Sequence, residues 1–96
     1  MKDTYCFPAI FTKTQEGISV AFPDLPGCVT CADNHLEAAK MARDCLGSWL
    51  YTSERDNEFI PVPSNLFKLK DELKDNQIIV RVRVYMPTIR SIFAKK

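Results

Sequence analysis

The chain lacks any run of 18 or more apolar residues, and Met1, Lys2 and Asp3 are not followed by the apolar stretch of a secretion signal. This predicts a cytoplasmic protein without a membrane span. Charge of one sign is also missing: 13 Lys and Arg stand against 12 Asp and Glu, a net of +1. That balance excludes packaging of nucleic acid through global charge. There is one histidine, His35, and there are three glycines. With 96 residues, 46% of them apolar, the sequence predicts a single domain over 1–96 whose small core disfavours a deep catalytic cavity. The four cysteines, Cys6, Cys28, Cys31 and Cys45, are read as free thiols, because a reducing compartment opposes bridges.

From Thr4 to Thr14 the sequence is rich in aromatic and β-branched residues. After Gln15, Glu16 and Gly17, Ile18 to Phe22 places Ile18, Val20 and Phe22 on one face at a period of two. The two runs predict a β-hairpin, with Pro8 expected at an edge or bulge because it cannot donate to a ladder. The turn chemistry of Phe22-Pro23-Asp24-Leu25-Pro26-Gly27 separates this hairpin from a short strand at Cys28 to Cys31. A three-stranded antiparallel meander follows.

A helix is predicted after Asn34, which stands at the N-cap position with Glu37 at N3. Leu36, Ala39, Ala42, Leu46, Trp49 and Leu50 form the expected apolar stripe over the sheet. Gly47 costs about 1 kcal/mol against Ala in a helix, so another element is expected to approach closely there. The helix is expected to end between Tyr51 and Arg55, before an irregular connection that holds Pro61 and Pro63. Leu66 to Asn76 reads ambiguously. The last strand, Gln77 to Tyr85, has Ile78, Val80, Val82 and Val84 on one face and Ile79, Arg81, Arg83 and Tyr85 on the other.

The order β-β-β-α-β predicts an α+β fold. A helix that returns along the sheet would leave the last strand parallel to the first and paired with its free edge. One helix covers one face, so the other face and an open edge predict self-association, as a homodimer or higher homo-oligomer, or a partner.

Tyr5-Cys6-Phe7-Pro8-Ala9-Ile10-Phe11, Ile18 to Cys28, Ala32-Asp33 leading into a Leu-Glu-x-Ala helix, and Ile60-Pro61-Val62-Pro63-Ser64 together resemble the HicB-type antitoxins. Phe22-Pro23-Asp24-Leu25-Pro26-Gly27-Cys28 is the most specific part. The resemblance implies a degenerate, partial RNase H-like fold and a partner, the HicA-type toxin, which resembles a double-stranded RNA-binding domain and cleaves messenger RNA. The antitoxin binds that toxin and covers its active site. Many family members carry a C-terminal DNA-binding segment, which this sequence is expected to lack. The family often has Gly where this chain has Ala32.

The residues themselves give little sign of catalysis. Cys28 and Cys31, three apart on a strand, point to opposite faces, and no second Cys or His pair completes a zinc site. Cys6 and Cys45 are expected to fill core positions. His35 lies in the first helical turn, where capping and a polar surface account for it and for Asp33. A two-metal nuclease needs converging carboxylates, and neither Tyr5 to Thr12 nor the last strand has an acid. No enzyme activity, catalytic residue, metal or cofactor is expected.

The last twenty residues hold Arg81, Arg83, Arg90, Lys95 and Lys96 and no acid, a cationic end suited to an anionic partner. The expected partner-binding residues are Phe22, Asp24 and Leu25 in the turn, Asp33, His35 and Glu37 at the helix start, and Arg81, Arg83 and Tyr85 on the last strand. Two alternatives stay open at this point: a nucleic-acid-binding or regulatory protein using the basic last strand, and a residual metal-dependent nuclease.

Overall fold

The computed structural model describes residues 2–94; Lys95 and Lys96 of the cationic end lie outside the described residues. Four strands, β1 (Thr4–Thr14), β2 (Gly17–Ala21), β3 (Val29–Ala32) and β4 (Gln77–Tyr85), form one sheet in the order β3-β2-β1-β4. Three helices accompany them: α1 (His35–Arg55), α2 (Leu66–Lys70) and α3 (Met86–Ala94). The alternation of β1 buries Tyr5, Phe7, Ala9 and Phe11 on one face, joined by Ile18 and Val20 of β2 and Val82 and Val84 of β4. Ala38, Ala42, Leu46 and Leu50 of α1 close over them.

Local chemistry sets the ends of α1. Asn34 Oδ1 accepts from the Glu37 amide at 2.9 Å, the cap expected from the sequence. At the other end Asn57 adopts φ 55°, and the amides of Asn57 and Glu58 bond to the carbonyls of Glu54 and Ser53. This is a Schellman ending, with Asn in the left-handed position.

The stripe differs from the expected one. Leu36 is 86% exposed, and Ala38 takes the buried place. Leu36 stands whole turns away from Arg43, Gly47 and Glu54, a flank that α3 covers at Gly47 and Glu54 but not over the first turn. At Gly47 an added Cβ would lie 2.8 Å from Ile89 Cδ1. The expected close approach is there, and α3 makes it.

All pairings in the sheet are antiparallel, which corrects the expectation of a last strand parallel to the first. β4 does pair with the free edge of β1, from Thr4↔Tyr85 to Thr12↔Gln77, but it runs the opposite way. The cause is the connection after α1. The eight residues from Glu58 to Asn65, stiffened by Pro61 and Pro63, can reach about 27 Å when extended, close to the roughly 31 Å of a 21-residue helix. The chain therefore travels back along the sheet before β4 begins. Ile60 to Pro63 lie beside Thr4 to Phe7, and Pro63, Ser64 and Leu66 lie beside Pro8 and Arg81. The Lys13 amide then meets the Asn76 carbonyl at 2.8 Å, where β4 starts.

This connection also covers part of the sheet face that the sequence left bare, and Pro8 is buried under it. Backbone groups of Lys13 and Asp3 point toward β4 and its continuation, so those of the even-numbered Pro8 point toward β2. The β2 ladder stops at Ile10↔Ala21, so Pro8 occupies a position where no ladder donor is required.

Helix α3 was not foreseen in the sequence. Met86 is fully buried, and Tyr51 and Phe93 stack with centroids 4.9 Å apart. Arg90 donates to Glu54 Oε1 at 3.1 Å and Oε2 at 2.9 Å, and also to Asp3 Oδ1 and the Lys2 carbonyl. The Glu54 side chain is 7% exposed, and the Tyr5 hydroxyl lies 3.5 Å from it. Arg90 thus ties α3, α1 and the N-terminus together and is not free for an anionic partner.

Two substitutions test this account. Gly17 sits at φ +141°, and a Cβ there would collide with the Ala32 carbonyl oxygen, so Gly17→Ala is expected to cost about 1–3 kcal/mol in urea unfolding. Glu54→Gln removes the charge that Arg90 binds, and thermal unfolding should shift down by roughly 5–10 °C.

Candidate functional site

The turn between β2 and β3 is built from two tight reversals. The Leu25 amide bonds to the Phe22 carbonyl and the Cys28 amide to the Leu25 carbonyl, each at 3.0 Å, and the Phe22 amide closes on the Cys28 carbonyl at 3.1 Å. Phe22, Leu25 and Cys28 point inward and are buried. Pro23, Pro26 and Gly27 remain exposed, and Gly27 takes φ +80°.

Two contacts fix this turn to its neighbours. Trp49 Nε1 on α1 donates to the Pro26 carbonyl at 3.1 Å. The Asp24 carboxylate accepts from the Ser64 amide at 2.8 Å and from the Ser64 hydroxyl, which latches the connector to the turn. Between turn, helix and connector lies an open groove of about 820 Å³. Pro26, Gly27 and Cys28 line it from the turn, Cys45, Ser48 and Trp49 from α1, and Glu58, Phe59 and Pro61 from the connector. Phe59 is 82% exposed there, with the carboxylates of Asp24 and Glu58 in the same wall. Three residues further along the connector, Val62 is exposed as well.

The expected site residues fall in three separate places. Phe22 and Leu25 have packing roles, and Asp24 is half-buried and bound to Ser64. Asp33, His35 and Glu37 are exposed at the far end of α1, where Asp33, Glu37 and Glu16 line a smaller hollow. Arg81, Arg83 and Tyr85 are exposed on the sheet face turned away from α1. The structure does not bring these three groups together. Phe59 was missed: it belongs to no strand or helix period, and only its size, in a stretch otherwise of turn residues, set it apart.

The cysteines are arranged differently from the expectation. Cys28 is the core cysteine, while Cys6 and Cys45 are half-buried and Cys31 is exposed. Cys28 and Cys31 do face opposite ways. Cys28 Sγ lies 3.6 Å from Cys45 Sγ, whose other contact is the Val29 carbonyl. Burial, with the neighbouring Cys45 thiol, pushes the Cys28 thiol up to about 12. Among the described residues, no group of three or more His, Cys, Asp or Glu is placed to hold a metal ion. No helix among them is long and apolar enough to cross a membrane.

An alkaline titration follows from the buried thiol. A raised value keeps Cys28 protonated in the fold where the unfolded chain ionises, so its stabilisation is complete below pH about 9 and is lost as pH rises toward about 12. Tyr5, raised by burial and then by the Glu54 charge, adds to the same loss. Urea-unfolding free energies measured across that window should fall for the wild type and fall less steeply for Cys28→Ala.

Comparison with known proteins places this geometry. No curated protein matches the sequence. Three similar structures share the fold. One is a chain of the HicA3 and HicB3 toxin-antitoxin complex, with 22% identity, TM-score 0.67, and coverage of 81% of this chain and 95% of that one. The antitoxin HicB3 crystal structure has 23% identity and TM-score 0.70 over 83% of this chain, which spans 62% of that chain's length. A chain of a toxin-antitoxin complex from Streptococcus pneumoniae has 22% identity and TM-score 0.73, covering 88% of this chain and 71% of that one. The model of the HicB-like antitoxin of bacterial toxin-antitoxin systems matches residues 7–93, from β1 through the unforeseen α3. With nearly every described element inside that match, the chain belongs to the family of HicB-like antitoxins.

Proposed function

We propose that this chain is an antitoxin that binds a HicA-type, messenger-RNA-cleaving toxin in the cytoplasm and occludes its active site, without catalysis or a cofactor of its own. Membership of the family supports the reading, as does the likeness in fold to chains from two toxin-antitoxin complexes. The observation that carries it is the groove beside the β2–β3 turn. Phe59 stands almost wholly in solvent next to half-buried Trp49, and Asp24 and Glu58 supply negative charge around them. An RNA-cleaving protein needs a cationic surface to hold phosphates, so an aromatic centre with acidic walls fits it in both shape and sign.

Tight inhibition needs about 800 Å² from each partner. The contact therefore extends beyond the groove onto Val62 and the exposed Pro23. Asp33, His35 and Glu37 lie roughly a helix length away and join only if the toxin reaches along α1. Self-association falls to the outer edge of β3, where Val29 and Cys31 are exposed.

A competing reading rests on Arg81, Arg83 and Tyr85, exposed together on one face: nucleic-acid binding without a toxin. It requires an affinity for DNA or RNA that falls steeply with salt. Occlusion requires little such affinity.

Phe59 bears no load in the core, so Phe59→Asp should leave the melting temperature unchanged. It should weaken toxin binding by about 30-fold or more in calorimetry and abolish growth rescue on co-expression. Leu36→Asp, exposed elsewhere, serves as the control. Unaltered toxin affinity in Phe59→Asp would remove the groove from the interface.

A further inference from the structure

The outer edge of β4 is open: among the described residues, no strand pairs with it. Even-numbered residues of β4 turn their backbone toward β1, because they stand opposite β1 residues in register with Lys13 and Asp3, whose backbone groups point that way. The N–H and C=O of Ile79, Arg81, Arg83 and Tyr85 therefore point outward, a template for one more strand. Natural sheets blunt such edges with covers or bulges. This one keeps nine regular residues.

Its surroundings are cationic. A groove of about 280 Å³ runs between this edge and α1, lined by Ala39 and Arg43 above and by Val80 to Arg83 along the strand. Arg81 and Arg83 project on the sheet face away from α1, and Arg43 lies on the helix side. Among the described residues, none of the three has an ion-pair partner, and β4 holds no acid. Leu36 lies on the same flank of α1 as Arg43, exposed where α3 does not reach.

A second copy of the chain does not suit this edge. Antiparallel pairing of two β4 strands centred on Arg81, Val82 or Arg83 sets an arginine directly opposite another arginine on one face, which is destabilising. We propose that the outer edge of β4 is a docking strand for an extended acidic segment of a partner protein. The segment adds as a fifth strand, held by backbone hydrogen bonds, with carboxylates meeting Arg81 and Arg83 on one side and Arg43 on the other. This contact is separate from the groove at Phe59, and its outcome does not depend on toxin binding there.

The test titrates the full chain, labelled for NMR, with a synthetic peptide of alternating glutamate and threonine. Amides of Ile79, Arg81, Arg83 and Tyr85 are expected to shift and to gain protection from exchange. Arg81→Glu combined with Arg83→Glu should weaken binding by about tenfold or more. That doubly reversed variant should gain affinity for the matching lysine peptide, which also shows that it remains folded. Arg43→Glu provides an independent variant on the helix side, with a smaller expected loss. Any of these results would overturn the proposal: no perturbation along β4, undiminished binding after N-methylation of alternate peptide residues, or tighter binding of a short oligouridine at the same amides. Perturbation of those amides by protein concentration alone would also overturn it, in favour of a second copy.

Discussion

Burial of one face of β1 beneath α1 is the constraint on which the other parts depend. β1 is an inner strand of the sheet, paired with β2 on one side and with β4 along most of its length on the other, and its Phe7, Ala9 and Phe11 are almost completely removed from water. Each large side chain buried in this way is worth about 1.5–3 kcal/mol, and a chain this short has few of them. The small residues Ala38 and Ala42 let the helix settle close to the sheet, while Leu46 and Leu50 fill the space over the aromatic residues. Once α1 lies along β1, its length fixes how far the chain must return before a fourth strand can pair.

The inequality of β1 and β2 creates the candidate surface. β2 ends opposite Ile10, so half of β1 continues beyond the hairpin ladder. The β2–β3 turn and the connector from Glu58 to Ser64 occupy that region, joined by Asp24 and held against α1 through Trp49. A groove results because two irregular segments meet α1 where a regular strand would have closed the sheet. Irregular backbone is also what lets Phe59 stand in solvent, since the extended run has neither a strand face nor a helix face to bury it.

Charge is distributed by the fold in a way that the net value conceals. Arg90, from the cationic C-terminal stretch, is consumed internally by Glu54 and Asp3. Arg81 and Arg83 remain outward on β4, whereas Asp24 and Glu58 flank the aromatic groove. The molecule thus offers surfaces of opposite sign in different places. Partners of different chemistry would be directed to each by long-range attraction before any close contact forms.

The sequence by itself determined the elements whose signals are local. The aromatic and β-branched run of β1, the period-two alternation of β2 and β4, the turn chemistry around Pro23 and Pro26, and the Asn34 cap each depend on neighbours a few residues away, and all were legible without coordinates. The close approach at Gly47 was legible too, because glycine within a helix has a local cost that calls for a compensating contact. Only the tertiary structure decided the direction of β4, which depends on the distance covered by an irregular connector and on no periodic pattern. The third helix was equally hidden: Met86, Ile89 and Phe93 become a packed face only against Gly47 and Tyr51 of α1, residues some forty positions earlier. The grouping of Trp49, Phe59 and Asp24 into one groove is likewise a product of long-range packing, since proximity between distant residues is set by how faces bury and is written in no single stretch of chain.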